Sequence, residues 1–170
     1  MVQIDAYKLL FVGEQIIFQL LEDIDKVPNW SVELPGLNRS LDWVFGHYAA
    51  VEDWYLHHLN DEPYGLPQAW QDIYWADDGW AKHPSEKEKA FGRDVVIDGF
   101  SQTRQRMYSA LKWDIFHLNR FVKPGTFPPA VKYRGDAWLF ISAHAYWHIG
   151  EVQSLRAKLG GKFERGGIHH

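Results

Sequence analysis

Three polar side chains lie on the face of a predicted helix that should be buried. They belong to the run His144-Ala-Tyr-Trp-His148-Ile-Gly-Glu151. At about 100° per residue, His144 and His148 lie one above the other, and Glu151 falls within about 60° of both. The same face carries the apolar residues Ala137, Ile141, Leu155 and Leu159. Because buried polar groups need partners, this helix must pack against an element that completes a polar site.

A divalent metal ion is a suitable partner for two imidazoles, and it usually takes a third ligand. His47 is the best candidate for that ligand. It lies in a predicted helix over 41–60, which follows the cap-like residues Asn38 and Ser40. The alternative interpretation is that these histidines are ordinary core residues, satisfied by hydrogen bonds without a metal.

Glu52 falls near the middle of an apolar stripe on the same predicted helix, which is unusual for a carboxylate. The stripe consists of Leu41, Val44, Phe45, Tyr48, Leu56 and Leu59. A carboxylate in such surroundings is costly unless it is hydrogen-bonded. We therefore predict that Glu52 accepts hydrogen bonds from another helix, or supports the site from outside, and is not itself a metal ligand.

Helical periodicity recurs along most of the chain and predicts an all-α protein. The predicted helices cover residues 3–25, 41–60, 93–112 and 136–159. We expect an up-and-down four-helix bundle with long, aromatic-rich connections, in a single domain over residues 1–165. Residues 166–170 are interpreted as a solvated tail, and its histidines are excluded from the site.

The connections hold many of the aromatic residues. Residues 61–85 form either a loop that fills gaps in the bundle with its rings or a lid over one end of the site. Residues 113–134 form a second irregular connection. In the third predicted helix we expect a solvated basic face formed by Arg93, Arg104 and Arg106. We expect that three tryptophans near the ligand-bearing faces wall a pocket: Trp43, Trp54 and Trp147.

Composition excludes several classes of function. The net charge of −4 argues against nucleic acid as a partner, since such proteins carry a basic patch. No apolar run reaches membrane-spanning length and the N-terminus lacks a signal-peptide pattern, so we expect a cytoplasmic protein without a membrane partner. The chain has no cysteine, and any thiol chemistry would need a thiol supplied by a small molecule.

The order and separation of these motifs resemble the DinB-like (damage-inducible, YfiT-like) superfamily of metal-binding four-helix bundles. In that family a second-helix His is followed five residues later by Glu, and the last helix carries a His-x-x-x-His-x-Gly-Gln-like run. The matching residues here are His47 with Glu52, and His144, His148 and Gly150, with Glu151 in place of the usual Gln. The resemblance spans about residues 3–160.

The resemblance implies a metal triad of His47, His144 and His148, with Glu151 as a fourth ligand or as a group outside the first sphere. Three protein ligands with open positions are typical of a catalytic site, whereas a structural zinc is normally closed by four. Imidazole suits zinc, nickel, iron and copper alike, and the expected divalent ion is zinc or nickel, with iron as another candidate.

The resemblance also implies the range of functions. The first is a metal-dependent enzyme, a low-molecular-weight-thiol-dependent S-transferase or related hydrolase, which acts on a small-molecule substrate and forms a homodimer. In it Glu151 would serve as a base or orient a ligand. The second is a non-catalytic, stress-linked bundle that binds a metal or small ligand. A third hypothesis, which does not depend on the resemblance, is a purely structural bundle with buried, protonation-sensitive histidines.

Overall fold

The described part of the chain is all-α, as the sequence predicts. The computed structural model describes residues 40–75 and 91–158, together with Val12, Trp30 and Ser31; for 155–158 it describes the backbone alone. Within these ranges the helices are α1 (Leu41–Asn60), α2 (Gln68–Tyr74), α3 (Arg93–Asp114) and α4 (Arg134–Lys158). The predicted helix over 3–25 lies, apart from Val12, outside the described residues.

Strand pairing in the described ranges is limited to one isolated antiparallel bridge, between Phe121 and Tyr133. It lies in the predicted irregular connection between α3 and α4. No helix in this part of the chain is both long enough and apolar enough to cross a membrane.

The start of α1 differs from the expected cap. Ser40 occupies the N-cap position, but its side chain makes no hydrogen bond to a helix amide. Its hydroxyl instead donates to Asp42, whose Oδ1 also accepts from the Trp43 amide at 2.8 Å. The Leu41 amide donates to the Trp30 carbonyl at 3.0 Å. Backbone amides of the first turn are therefore hydrogen-bonded to the Asp42 carboxylate and to the Trp30 carbonyl, which precedes the helix in sequence.

Helices α1 and α3 run parallel. Phe45, early in α1, contacts Phe100, early in α3, with ring centroids 5.3 Å apart. About two turns further along α1, Glu52 pairs with Arg104, which also lies further along α3. The predicted up-and-down alternation is therefore wrong for these two long helices. The connection over 61–92 is long enough for the chain to return to the end at which α1 began.

Helix α4 runs antiparallel to both. Its first half packs beside the last half of α1, where Tyr55 and Phe140 lie with centroids 6.1 Å apart. Its second half reaches the first half of α1, where the rings of His47 and His148 are 5.2 Å apart. The antiparallel arrangement is what brings the two histidine-bearing segments to the same level of the helices.

Two apolar clusters form the core, and buried polar groups lie where they meet. The first cluster includes Val44, Phe45, Val96, Phe100, Ala145 and Ile149. The second cluster includes Leu56, Leu59, Met107, Leu111, Trp138 and Ile141. On each long helix the position between the clusters is polar: Glu52 on α1, Arg104 on α3 and His144 on α4.

Short α2 was not predicted. It packs against α1 with Trp70 and Tyr74 buried, and the Trp70 Nε1 donates to the Gly46 carbonyl at 2.9 Å. The buried rings agree with the interpretation of this connection as a loop that fills gaps in the helix packing. Residues 76–85, the remainder of the expected lid, lie outside the described residues.

Asp53 fixes the connection between α1 and α2. Its fully buried carboxylate accepts from the amides of Gly65 and Leu66 at 2.9 and 3.0 Å, and it pairs with Arg106. The Arg106 guanidinium also contacts Glu62 at 3.3 Å. Arg106 is thus not part of a solvated face, as the sequence pattern suggested, but ties α3 to the connection that leads into α2.

Candidate metal site

The predicted triad comes together between α1 and α4. One ring nitrogen from each of His47, His144 and His148 lies within 4.8 Å of the corresponding nitrogens of the other two. His148 is buried, and the other two are half-buried. Three imidazole nitrogens at this spacing form a donor set that suits a divalent ion of the first transition series.

His47 is held by a backbone carbonyl and an aromatic ring. Its Nδ1 lies 2.8 Å from the carbonyl oxygen of Tyr74, at the last residue of α2. A carbonyl can only accept, so Nδ1 carries the proton and Nε2 is the nitrogen that can bind a cation. On the same helix, the Trp43 ring stacks on the imidazole with centroids 4.7 Å apart and planes 12° apart.

His148 is oriented by Glu151. Its Nδ1 lies 2.6 Å from Glu151 Oε2, and Nδ1–H donates to that carboxylate. Its Nε2 therefore faces the other histidines. Hydrogen bonding of the far ring nitrogen to a carboxylate or carbonyl is typical of metal-ligating histidines, because it fixes the ring and raises the basicity of the ligand nitrogen. Both His47 and His148 have this arrangement.

His144 and His148 approach each other through their Nε2 atoms, which are 3.0 Å apart. Two lone pairs at this distance would repel, so either a proton on one nitrogen or a cation bound to both must lie between them. Two nitrogens bound to one ion at about 2.0–2.1 Å would lie about 2.9–3.4 Å apart. The observed separation fits a shared ion, and the residues present fit the implied metal.

Gly46 allows the approach that positions His47. A Cβ built on Gly46 would lie 2.4 Å from the Tyr74 ring, closer than any side chain tolerates. The ring of Tyr74 thus rests on the α1 backbone directly before His47, and this contact places the Tyr74 carbonyl beside the imidazole. Burial raises the pKa of the Tyr74 phenol, and the Asp42 carboxylate adds to the shift, so the hydroxyl stays neutral.

Glu52 does not belong to the triad. Its carboxylate is fully buried and pairs with Arg104, which is only 3% exposed. Arg104 also donates to the Tyr48 hydroxyl at 2.9 Å. The contact agrees with the expectation that Glu52 accepts from another helix. The solvated face expected for Arg104 is wrong, because this guanidinium is enclosed between helices beside its counterion.

Tyr48 links the ion pair to the histidines. Its ring lies 6.0 Å from His144 and 6.1 Å from His148, measured between centroids. The Tyr48 hydroxyl accepts from Arg104 and its ring contacts the histidines, so Tyr48 connects Arg104 with the triad. Glu52, Arg104 and Tyr48 form a hydrogen-bonded group that lies beside the triad.

The three tryptophans expected to wall a pocket have separate surroundings. Trp43 stacks on His47 and therefore lies beside the triad. Trp54 stacks on His58 with centroids 4.1 Å apart. Trp147 is mostly exposed, and its Nε1 donates to Glu151 at 3.3 Å. Trp147 therefore helps to hold the carboxylate that orients His148.

A small cavity borders the site. It measures about 10 Å³ and is lined by apolar side chains of α1 and α4, together with Tyr48 and His148. A volume of this size holds about one water molecule.

Sequence reasoning missed the Tyr74 carbonyl and Arg104. Every residue has a backbone carbonyl, so the amino-acid type at position 74 does not reveal this contact. It can be recognised only once the fold places the Tyr74 carbonyl beside His47. Arg104 had one available signal, which was the buried carboxylate predicted at Glu52 and its need for a cation.

No protein-family model matches the chain, and no curated protein matches it significantly. Functional inference therefore depends on the site itself.

Proposed function

We propose that this protein binds one divalent metal ion through His47, His144 and His148. The observation that carries the proposal is the convergence of three imidazole nitrogens within 4.8 Å, with Nδ1 of two rings bonded to acceptors. Glu151 acts from outside the ligand set, because its carboxylate contacts the far nitrogen of His148. Zinc or nickel suits such a site, and iron is a further candidate.

We further propose that the chain is a DinB-like four-helix bundle and that it is a metal-dependent enzyme. Three protein ligands leave positions for water or substrate. The ion would supply a Lewis acid that acidifies a coordinated water or thiol. Because the chain has no cysteine, the proposed S-transferase or related hydrolase chemistry takes its thiol from a small molecule. A cytoplasmic location would supply such thiols in reduced form.

Elemental analysis is the direct test of metal binding. The chain should be purified without an affinity tag or added metal, and its metal content measured beside that of His47→Ala. We expect close to one equivalent of one metal in the parent protein and a large loss in the variant. Absence of metal from both proteins, together with no binding of added zinc or nickel, would overturn the proposal.

A second candidate function is non-catalytic binding of a metal or small ligand. The cavity of about 10 Å³ that the described residues line beside His148 supports it, because a space of this size holds about one water molecule. Activity screens of the metal-loaded protein with small thiols and electrophilic substrates separate the two. Turnover that is lost in His144→Ala supports the enzyme, whereas stoichiometric metal without turnover across the screen supports the binding protein.

A further inference from the structure

Three large aromatic side chains protrude into solvent at the end of the molecule where α3 ends and α4 begins. Trp113 is 80% exposed, Phe116 is 87% exposed and Phe121 is 75% exposed. Trp113 and Phe116 are three residues apart around the end of α3, and Phe121 follows in the connection to α4. We call these three residues the aromatic tip. Three such exposures within nine residues concentrate apolar surface at one end of the molecule, and contiguous exposed apolar surface is typical of an interaction site.

The connection that carries the aromatic tip is folded. The Val122 amide donates to the Lys132 carbonyl at 3.0 Å, and the Arg134 amide donates to the Arg120 carbonyl at 2.9 Å. The same connection inserts Phe127 into the second apolar cluster. Since one aromatic residue of this segment is buried while those of the tip point outward, the exposure is a property of the folded surface.

Exposed basic side chains outnumber exposed acidic ones around the aromatic tip, where Asp61 is exposed and Glu62 and Asp136 are half-buried. The exposed basic residues there are Lys112, Arg120, Lys123 and Lys132. Between residues 99 and 135 the sequence has a single acidic residue, Asp114. Its carboxylate is buried and bonds Arg134 at 2.6 Å, so it does not offset the exposed cations. This basic end contrasts with the net charge of −4 for the whole chain.

We propose that the aromatic tip and its four cations attach the protein to the surface of anionic membranes. Tryptophan and phenylalanine side chains enter the interfacial region of a bilayer, while lysine and arginine bind the acidic headgroups. The absence of a spanning segment, which led us to expect no membrane partner, does not bear on surface attachment. A symmetric contact between two copies through this surface would bring the same four cations together, which disfavours a second copy as the occupant.

This surface is independent of the proposed metal function. His47 lies in the second turn of α1, and the aromatic tip lies beyond the far end of that helix, about 20 Å away along the helix axis. When the tip contacts a bilayer, the histidines face away from it. Loss of metal and loss of membrane attachment can therefore be measured separately in the same variants.

Cosedimentation with vesicles tests the proposal. The full chain is mixed with vesicles of phosphatidylcholine alone, or with phosphatidylserine added to about 30%. We expect binding to the anionic vesicles that weakens as salt is raised, and little binding to the neutral ones. Combined Trp113→Ala and Phe116→Ala, and separately combined Arg120→Glu and Lys123→Glu, should each reduce binding at least about tenfold.

Val95→Ala is the matched control, since it trims an exposed apolar side chain at the opposite end of α3. It should bind vesicles as the parent does, and metal content should be unchanged in all variants. The salt dependence of vesicle binding is measured on the parent protein, so this part of the test does not depend on whether any variant folds. The proposal is overturned if the parent protein does not bind anionic vesicles. It is also overturned if the combined substitutions in the aromatic tip and in its cations leave binding unchanged. Tip-dependent dimers or tip-dependent binding of a single-stranded oligonucleotide, without vesicle binding, would identify a different occupant and also overturn it.

Discussion

Glu151 contacts His148 on the edge of the imidazole that faces away from His144, with Oε2 2.6 Å from Nδ1. The carboxylate and the neighbouring histidine therefore hold opposite nitrogens of the same ring. This geometry is that of a group that orients a ligand and raises its basicity. The sequence left open whether Glu151 is a fourth ligand, and the contact supports the orienting role.

Glu151→Gln should weaken metal binding by about tenfold to a hundredfold without removing the site, because an amide accepts the hydrogen bond less strongly than a carboxylate. Affinity for zinc should be measured by competition with a chromophoric chelator between about pH 5 and 8. In both proteins the affinity falls at acid pH, since protons compete for the imidazoles. Superimposable curves would show that Glu151 has no influence on the ion.

His47→Ala should abolish stoichiometric metal binding while the helices remain folded, because it removes one ligand of three. Metal content and far-UV circular dichroism measure the two effects. His117→Ala is the control, since this histidine lies in the connection after α3 and outside the triad. Full retention of metal in His47→Ala would exclude His47 as a ligand.

Gly46→Ala should reduce both stability and metal affinity, because the new methyl group would meet the Tyr74 ring at 2.4 Å and displace the carbonyl that holds His47. Overpacking of this kind costs about 1–3 kcal/mol of unfolding free energy. Gly150→Ala is a matched control on α4, where nothing lies within 4 Å of the added carbon. Equal behaviour of the two variants would contradict the role assigned to the Gly46 contact.

Arg104→Met should destabilise the fold by about 3–5 kcal/mol, because it leaves the fully buried Glu52 carboxylate without its cation. Combining it with Glu52→Leu should recover most of the loss, since neither charge then remains buried. Urea unfolding with a metal chelator present measures these free energies without a contribution from the ion. Additive effects of the two substitutions would show that the pair is not coupled.

The expected homodimer has a candidate surface on α4. Phe140, Ala143 and Trp147 are exposed on this helix at the three- and four-residue spacing of a helix–helix contact, and none is charged. We expect a dimeric mass by light scattering at micromolar concentration, and a monomeric mass for Phe140→Asp. Val95→Asp, on an exposed position of α3, should stay dimeric. A monomeric parent protein would refute the prediction.

Periodicity predicted the long helices closely. The helix over 41–60 coincides with α1, and the other two predicted helices within the described ranges differ from α3 and α4 by one or two residues at their ends. Long amphipathic helices repeat their apolar spacing over several turns, so they can be recognised in the sequence. Seven-residue α2 carries no such repeat, and its position depends on tertiary contacts such as that between Trp70 and Gly46.

The histidines of the site could be predicted from the sequence more easily than the residues that hold them in place. His144 and His148 share a helix face by spacing alone, and a metal hypothesis joined His47 to them. The Glu52–Arg104 pair depends on the register between two helices, and the sequence does not display that register. The parallel course of α1 and α3 likewise depends on the path of the connection, which aromatic composition alone does not determine.

The ligands of the triad come from distant parts of the chain. Roughly 100 residues separate His47 from His144, and an ion bound to both would act as a reversible cross-link that closes this loop. Closing so long a loop restricts the unfolded chain more than a local contact does. Chelation would therefore do more than empty a site: it would release α4 from α1 and make the whole fold easier to unfold.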